Sequence, residues 1–342
     1  MKRLLIVRLS AMGDVAMTAP VIAALRRNYP ELKISLLTTP FFRPFFRDIP
    51  DIDFVDLDLK KRHKGWLGLL RLWWDICKNE RIDQVADLHD VIRTKILRKY
   101  FRLTFTRVAK IDKGRKEKKE LTRPEDKVFQ PLKSTVERYA DVFRQLGYSI
   151  ETPDKLVPHT CPVPPTIKAL TGLKQGKWLG IAPFAQHQGK VYPLEKMKEV
   201  LAELSRRENL RFFIFGGGPV EKAAAEELEA AYPRTISVIG KIPLTEELDL
   251  IANLDGMVSM DSSAMHMASL MGIPAVTVWG GTHPYAGFLG IGQSPTNAVQ
   301  IELSCRPCSI YGNEPCLFGD YRCMPGIAPE RIVAQVNQLI ES

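Results

Sequence analysis

Short apolar runs alternate along the chain with longer stretches in which apolar residues recur every three or four positions, the respective signatures of buried strands and of helices. In the first half, Leu4 to Leu9 reads as a strand that stops at Ser10. Val15, Ala19, Ile22, Ala23 and Leu25 follow at helical spacing, and that helix ends near Pro30. "LKISLLTT" and "DFVDLDL" predict a second and a third strand. A basic amphipathic segment with Trp66, Leu69, Leu70, Trp73 and Ile76 at helical spacing then precedes a fourth strand, "QVADLHD". The aromatic stripe of that segment reads as core or interdomain packing.

The second half restarts the alternation. "WLGIAP", "LRFFIF", "ISVIG", "GMVSM" and "PAVTVWG" read as strands, separated by helical segments such as "PLEKMKEVLAELSRRE", whose Leu194, Met197, Val200, Leu201 and Leu204 form one stripe. Pro329 is positioned as an early residue of a closing helix. Strand and helix in alternation call for parallel sheets covered on both faces. Between the halves, Pro153, Pro158, Pro162, Pro164 and Pro165 fall within 13 residues, too many for the interior of a helix or sheet. The boundary is therefore set there, giving domains 1–160 and 161–342. The expected fold is α/β, two Rossmann-like domains facing each other across a cleft, with ligands beyond the carboxyl ends of the strands.

With 342 residues the chain is long enough for two cores. It is 45% hydrophobic and 25% charged, with no apolar run near the ~20 residues of a membrane span. Met1, Lys2 and Arg3 ahead of apolar residues imitate an export signal, but Arg8 and Asp14 interrupt it, and the expected location is the cytoplasm. Charge divides the chain. Residues 1–160 hold 33 Lys and Arg against 21 Asp and Glu, a balance of +12, and residues 161–342 hold 15 against 18, a balance of −3. Basic residues crowd Arg93 to Lys119 and Lys60 to Lys64, a field suited to a polyanion or an anionic membrane and equally to a solvated face. Cys305, Cys308, Cys316 and Cys323 follow a C-x2-C-x7-C-x6-C spacing. Structural zinc and four reduced thiols both fit that pattern.

Four loops lie just after predicted strands. "SAMGDV" carries Gly13, expected to permit an unusual backbone angle or a close approach, and Asp14 at the first turn of a helix. "PFAQHQGKVYP" carries Lys190. "FGGGP", residues 215–219, lacks a complete dinucleotide fingerprint. "SMDSSAMHMASLMGIPAVTVWGGT" places Asp261 and Ser262 at a helix start, His266 one turn in, and Gly280, Gly281 and Thr282 after the next strand. A helix N-terminus beside a strand end suits a pyrophosphate. Taken singly, each has a plainer reading: Asp14 and Asp261 as helix caps, Lys190 as a surface cation and His266 as a core residue.

Taken together, the loops resemble glycosyltransferase family 9, the ADP-heptose:lipopolysaccharide heptosyltransferases. The family's "S-x-M-G-D" matches Ser10, Met12, Gly13 and Asp14, and its "K-x-W-P" partly matches Lys190 to Pro193. Its "D-x-G-x-x-H-x-A" matches Asp261, His266 and Ala268, and its "G-x-T" matches Gly280 and Thr282. Tyr192 stands where the family has Trp, and Ser263 replaces a glycine. The resemblance implies a glycosyltransferase B-type fold and an inverting transfer that uses neither catalytic metal nor other cofactor. It further implies Asp14 as general base, with Ser10, Met12 and Gly13 beside the acceptor. Lys190, Asp261, Ser262, His266, Gly280 and Thr282 would serve the donor.

The implied partners are an ADP-heptose-like donor and an anionic glycolipid acceptor, with peripheral seating on the inner face of the inner membrane and no nucleic acid. Two competing classes remain. A nicotinamide-dependent oxidoreductase would need an acidic residue at the end of the second strand, where this chain has "LLTTP". A non-catalytic RNA-binding protein would use the basic half alone and ignore nucleotide-sugar.

Overall fold

The computed structural model of the protein describes residues 2–78 and 81–341; Met1, part of the export-like start, lies outside them. The chain divides into two compact units. One is Met1–Lys113 with Thr135–Pro153, and the other is Gly114–Ser134 with Asp154–Ser342. A single cut after residue 160 therefore does not describe the division, because a segment of 21 residues (134 − 113) from the basic half belongs to the second unit.

The first unit is built on β1 (Arg3–Val7), β2 (Lys33–Leu37), β3 (Ile52–Phe54), β4 (Gln84–Asp87) and β5 (Arg107–Lys110), with α1 (Met12–Ala16), α2 (Ala19–Asn28), α3 (Gly65–Cys77) and α4 (Ile92–Leu103) between them. All strand pairs are parallel, in the order β3-β2-β1-β4-β5. Leu4, Leu5 and Ile6 of the central strand are fully buried, as a strand covered on both faces requires. The register sets Val7 level with Leu37 and Asp87, so the residues after β1 and β4 emerge side by side. Leu69, Leu72 and Ile76 of α3 join Val7, Val85, Leu97 and Phe101 in one core. Trp66 and Leu70, expected on the packed stripe, are instead exposed.

In the second unit, α5 (Arg115–Thr122) leads the inserted segment, and α6 (Thr135–Gln145) returns to the first. The inserted segment is fastened to its host. The Lys118 ammonium lies 4.4 Å from the centroid of the Phe288 ring, and the Leu132 N–H donates to the Tyr285 carbonyl. Lys127 Nζ donates to the carbonyls of Ser304, Arg306 and Pro307. The basic run Arg93 to Lys119 is thus shared between both units.

The rest of the second unit alternates as expected. After α7 (Pro165–Thr171) come β6 (Lys177–Ala182), α8 (Leu194–Leu204), β7 (Leu210–Ile214), α9 (Gly218–Ala231) and β8 (Thr235–Ser237). Then follow α10 (Leu244–Ala252), β9 (Gly256–Met260), α11 (Ser263–Leu270), β10 (Ala275–Val278), β11 (Ala298–Val299) and α12 (Pro329–Glu341). The parallel order is β11-β10-β9-β6-β7-β8. Met197, Val200, Leu201 and Leu204 of α8 pack with Val336 and Leu339 of α12 in its core.

Candidate functional site

Each unit gathers polar side chains at the carboxyl ends of its central strands. In the first, Arg8 leaves β1 almost fully buried, and its NH1 donates to the Leu88 carbonyl at 2.7 Å. That bond fixes the guanidinium, whose NH2 meets Asp14 Oδ2 at 2.5 Å. The Tyr139 hydroxyl, delivered by α6, donates to Asp14 Oδ1 at 3.3 Å. Asp14 keeps 29% of its side chain exposed. The N-cap of α1 is Ala11, with no side-chain cap bond, so Asp14 is not the helix cap that the plainer reading allowed. Its carboxylate is held by two donors with one side left open. Gly13 is a buried member of α1, without the left-handed backbone found at other glycines. Ser10 is exposed and Met12 half-buried beside it.

Neighbouring this carboxylate is the loop after β4. Asp87 Oδ1 accepts the N–H groups of His89 and Asp90, each at 2.9 Å. Arg98 joins Asp87 at 3.0 Å and Asp90 at 2.8 Å, a buried triad in which each charge has an opposite partner. Burial, with Arg8 and Lys113 close by, pushes His89 down to about 3, so its imidazole is neutral at pH 7. Arg8, Tyr139, His89 and the Asp87–Arg98–Asp90 triad were not picked out as site residues from sequence. "LHD", read from sequence as the end of the fourth strand, lies beyond β4, which stops at Asp87.

In the second unit, Lys190 follows β6 and Asp261 follows β9, strands that are neighbours in the sheet. Lys190 Nζ meets Asp261 Oδ2 at 2.9 Å, with side chains 16% and 5% exposed. Lys190 is therefore no surface cation. The N-cap of α11 is Ser262, not Asp261, and Ser262 Oγ lies 3.2 Å from Ser259 Oγ. His266 is buried within α11. The loop after β10 joins the same cluster through backbone: the Gly281 N–H donates to the Gly189 carbonyl at 2.7 Å. A Cβ on Gly280 would stand 2.6 Å from Met324 Cγ and 2.8 Å from the Gly189 oxygen, so this glycine answers to protein packing. Thr282 is fully buried, and its hydroxyl has no partner among the described residues.

Arg306, absent from the residues singled out by sequence, anchors that loop. Its guanidinium donates to the carbonyls of Trp279 (3.1 Å), Thr282 (3.0 Å), Gly280 and Ile301, and to Gln300 Oε1 at 2.9 Å. Tyr192 is buried and donates its hydroxyl to the Ile327 carbonyl at 2.9 Å, a bond that anchors this ring in the core. At the "FGGGP" loop, the Gly217 N–H donates to the Glu221 carboxylate at 2.7 Å, so an internal carboxylate already takes up that donor. Cys305, Cys308, Cys316 and Cys323 line one small cavity with Arg306 and Arg322. All four are free thiols. Burial pushes Cys308 up and Cys323 to about 11. Among the described residues, no three His, Cys, Asp or Glu side chains are gathered as a metal-holding set.

The family model for glycosyltransferase family 9 (heptosyltransferase) matches residues 72–316. The chain is 25% identical over 304 residues to the lipopolysaccharide core heptosyltransferase OpsX of Haemophilus influenzae, covering 83% of this chain and 80% of that one. Its fold is similar to the crystal structure of the glycosyl transferase family 9 from Veillonella parvula, with a TM-score of 0.77 at 20% identity over 100% and 98% of the two chains. It is also similar to E. coli ADP-heptose lps heptosyltransferase II, with a TM-score of 0.72 at 18% identity over 100% and 99%.

Proposed function

The chain belongs to glycosyltransferase family 9, the heptosyltransferases, and from that premise we propose that it moves heptose, with inversion, from ADP-heptose to a lipopolysaccharide core acceptor. The relatives' names support both substrates. Asp14 takes the proton of the acceptor hydroxyl while that oxygen bonds to the anomeric carbon. On the opposite face the bond from that carbon to the diphosphate oxygen breaks, and ADP leaves with the electron pair. Ser10, Met12 and Gly13 flank the acceptor. Negative charge growing on the diphosphate is met by Lys190 and by the N–H groups opening α11 at Ser262, with His266 a turn further on. Asp261 holds Lys190 in place until a donor phosphate competes for the ammonium. Gly280 and Thr282, pinned by Arg306, frame the nucleotide with backbone groups.

The reaction is assigned to the cytoplasmic face of the inner membrane, with the protein peripheral. Among the described residues no helix is long and apolar enough to cross a bilayer, and Lys60, Lys61 and Lys64 expose their charges for the phosphates of the acceptor.

The observation that carries this reading is the Asp14 carboxylate, oriented by Arg8 and Tyr139 and still open on one side. Asp14→Asn is expected to lower kcat ~1,000-fold, within the span of general-base catalysis, while ADP still raises the melting temperature as in wild type. The assay is ADP release with ADP-heptose and a heptose-deficient lipopolysaccharide. An Asp14→Asn variant retaining a tenth of wild-type turnover would refute the assignment. No stabilisation of the wild-type protein by ADP would refute the donor assignment.

A further inference from the structure

Helix α3, "GWLGLLRLWWDIC", is apolar on two faces. Leu69, Leu72 and Ile76 are buried in the core. Trp66, Leu67, Leu70 and Trp74 are 65%, 50%, 39% and 62% exposed. At ~100° per residue these four share an outward arc of ~100°. Packing alone does not call for the outward set, since a helix on a water-facing surface is polar on its far side.

The charge around this arc is predominantly positive, and Asp58, in the turn ahead of the helix, accepts the N–H groups of Lys60 and Lys61. Lys60, Lys61 and Lys64 precede the helix, Arg71 lies on it, and all four are exposed. Helix α4 packs alongside, with Tyr100 6.3 Å from Trp73 between ring centroids. It presents exposed Lys95, Lys99 and Arg102, ends at exposed Leu103 with exposed Phe105 just beyond it, and contains no acidic residue. The one carboxylate on α3, Asp75, is taken by Arg62 at 2.7 Å. A second copy docking here would bring cation against cation. An anionic bilayer complements the whole surface: indole rings favour the headgroup level, and Lys and Arg favour acidic lipid. Thirteen residues of helix span ~20 Å, too short to cross a bilayer and suited to lying in its plane.

We propose that the outward face of α3, led by Trp66 and Trp74, inserts into the headgroup layer of an anionic phospholipid membrane. This deepens the peripheral seating described above by naming the face that makes contact. It requires no glycolipid, so the two readings can fail separately.

Tryptophan fluorescence reads it directly. Of the five tryptophans, Trp178 and Trp279 are fully buried and Trp73 is partly covered, leaving Trp66 and Trp74 to respond to lipid. The full chain is titrated with vesicles of phosphatidylcholine and phosphatidylglycerol, and with phosphatidylcholine alone. Anionic vesicles are expected to sediment the protein, shift its emission to the blue and, with brominated acyl chains, quench it. Trp66→Ser/Trp74→Ser should lose the shift and at least tenfold in vesicle affinity, with the ADP-induced melting shift unchanged as the control for folding. Arg71→Glu should weaken binding at least ~5-fold, and salt should weaken it further.

Three results would overturn the inference: no sedimentation with anionic vesicles, equal binding to neutral ones, or binding with unaltered emission. Self-association abolished by the double variant, without lipid binding, would assign the face to a second copy instead. Vesicle binding by a protein that releases no ADP would leave this inference standing and remove the proposed reaction.

Discussion

Cutting the Lys190–Asp261 pair one side at a time should cost different amounts. At 2.9 Å and an effective dielectric constant of about 20, the attraction is ~6 kcal/mol, most of it offset by desolvation of the two ions. Removing one partner then leaves the other uncompensated, at ~3–5 kcal/mol for a fully buried site. Asp261 is the deeper member, 5% exposed against 16% for Lys190. Lys190→Met strands the buried carboxylate and should lie at the upper end of that range. Asp261→Asn frees a longer side chain that can turn to water, and should lie at or below the lower end. The double variant should cost less than the sum by ~2 kcal/mol, as coupled neighbours do. Urea unfolding followed by tryptophan emission is the assay, since Trp178 and Trp279 are buried in the same unit. Single variants each within 0.5 kcal/mol of wild type, with an additive double, would refute the reasoning.

Two further outcomes follow from groups elsewhere in the second unit. Arg306→Lys keeps the charge but not the planar fork that reaches five acceptors; it should lower stability by ~3 kcal/mol and weaken ADP binding tenfold or more, measured by calorimetry, whereas unchanged ADP affinity would dissociate the loop after β10 from the nucleotide. Burial alone pushes Glu247 up to about 7 from 4.5, so the folded state holds this proton more tightly than the unfolded chain, and the group's contribution to stability falls as pH rises from 4.5 to 7. Glu247→Gln should gain at most about 3 kcal/mol at pH 8 and nothing at pH 4; a gain independent of pH would reject burial as the cause. His89 and His283, pushed down to about 3 and 4 by burial, act in the opposite sense and cost stability as pH falls below ~6.5, so the Glu247 effect is measured as the difference from wild type at each pH.

The sheets were legible because parallel strands buried on both faces leave apolar runs; of the eleven strands among the described residues, nine coincide with segments read as strands from sequence, the edge strand β3 from an alternating one. The two strands not read, β5 ("RVAK") and β11 ("AV"), are an edge strand with charge at each end and a pair of residues too short to carry a period. Helix α3 misled in a different way. Apolar residues on two opposite faces satisfy the helical period twice over, and periodicity cannot say which face meets the core. At the site, the residues flagged by motif are present at strand ends, but their partners were not visible. Arg8 and Tyr139 converge on Asp14 from six residues before it and 125 after it, and no local pattern records such a meeting. Arg306 was hidden for the same reason, since it serves mostly carbonyl oxygens, and those are present at every residue.

The thread of the chain leaves the first unit at Lys113, re-enters at Thr135 and departs again after Pro153. Neither half can accordingly be obtained by shortening the gene from one end. A fragment starting at Asp154 would lack the ammonium of Lys118 over Phe288 and the three carbonyl bonds of Lys127, and a fragment stopping there would carry residues 114–134 with their host removed. Partial proteolysis inside that insert would wound both lobes at once.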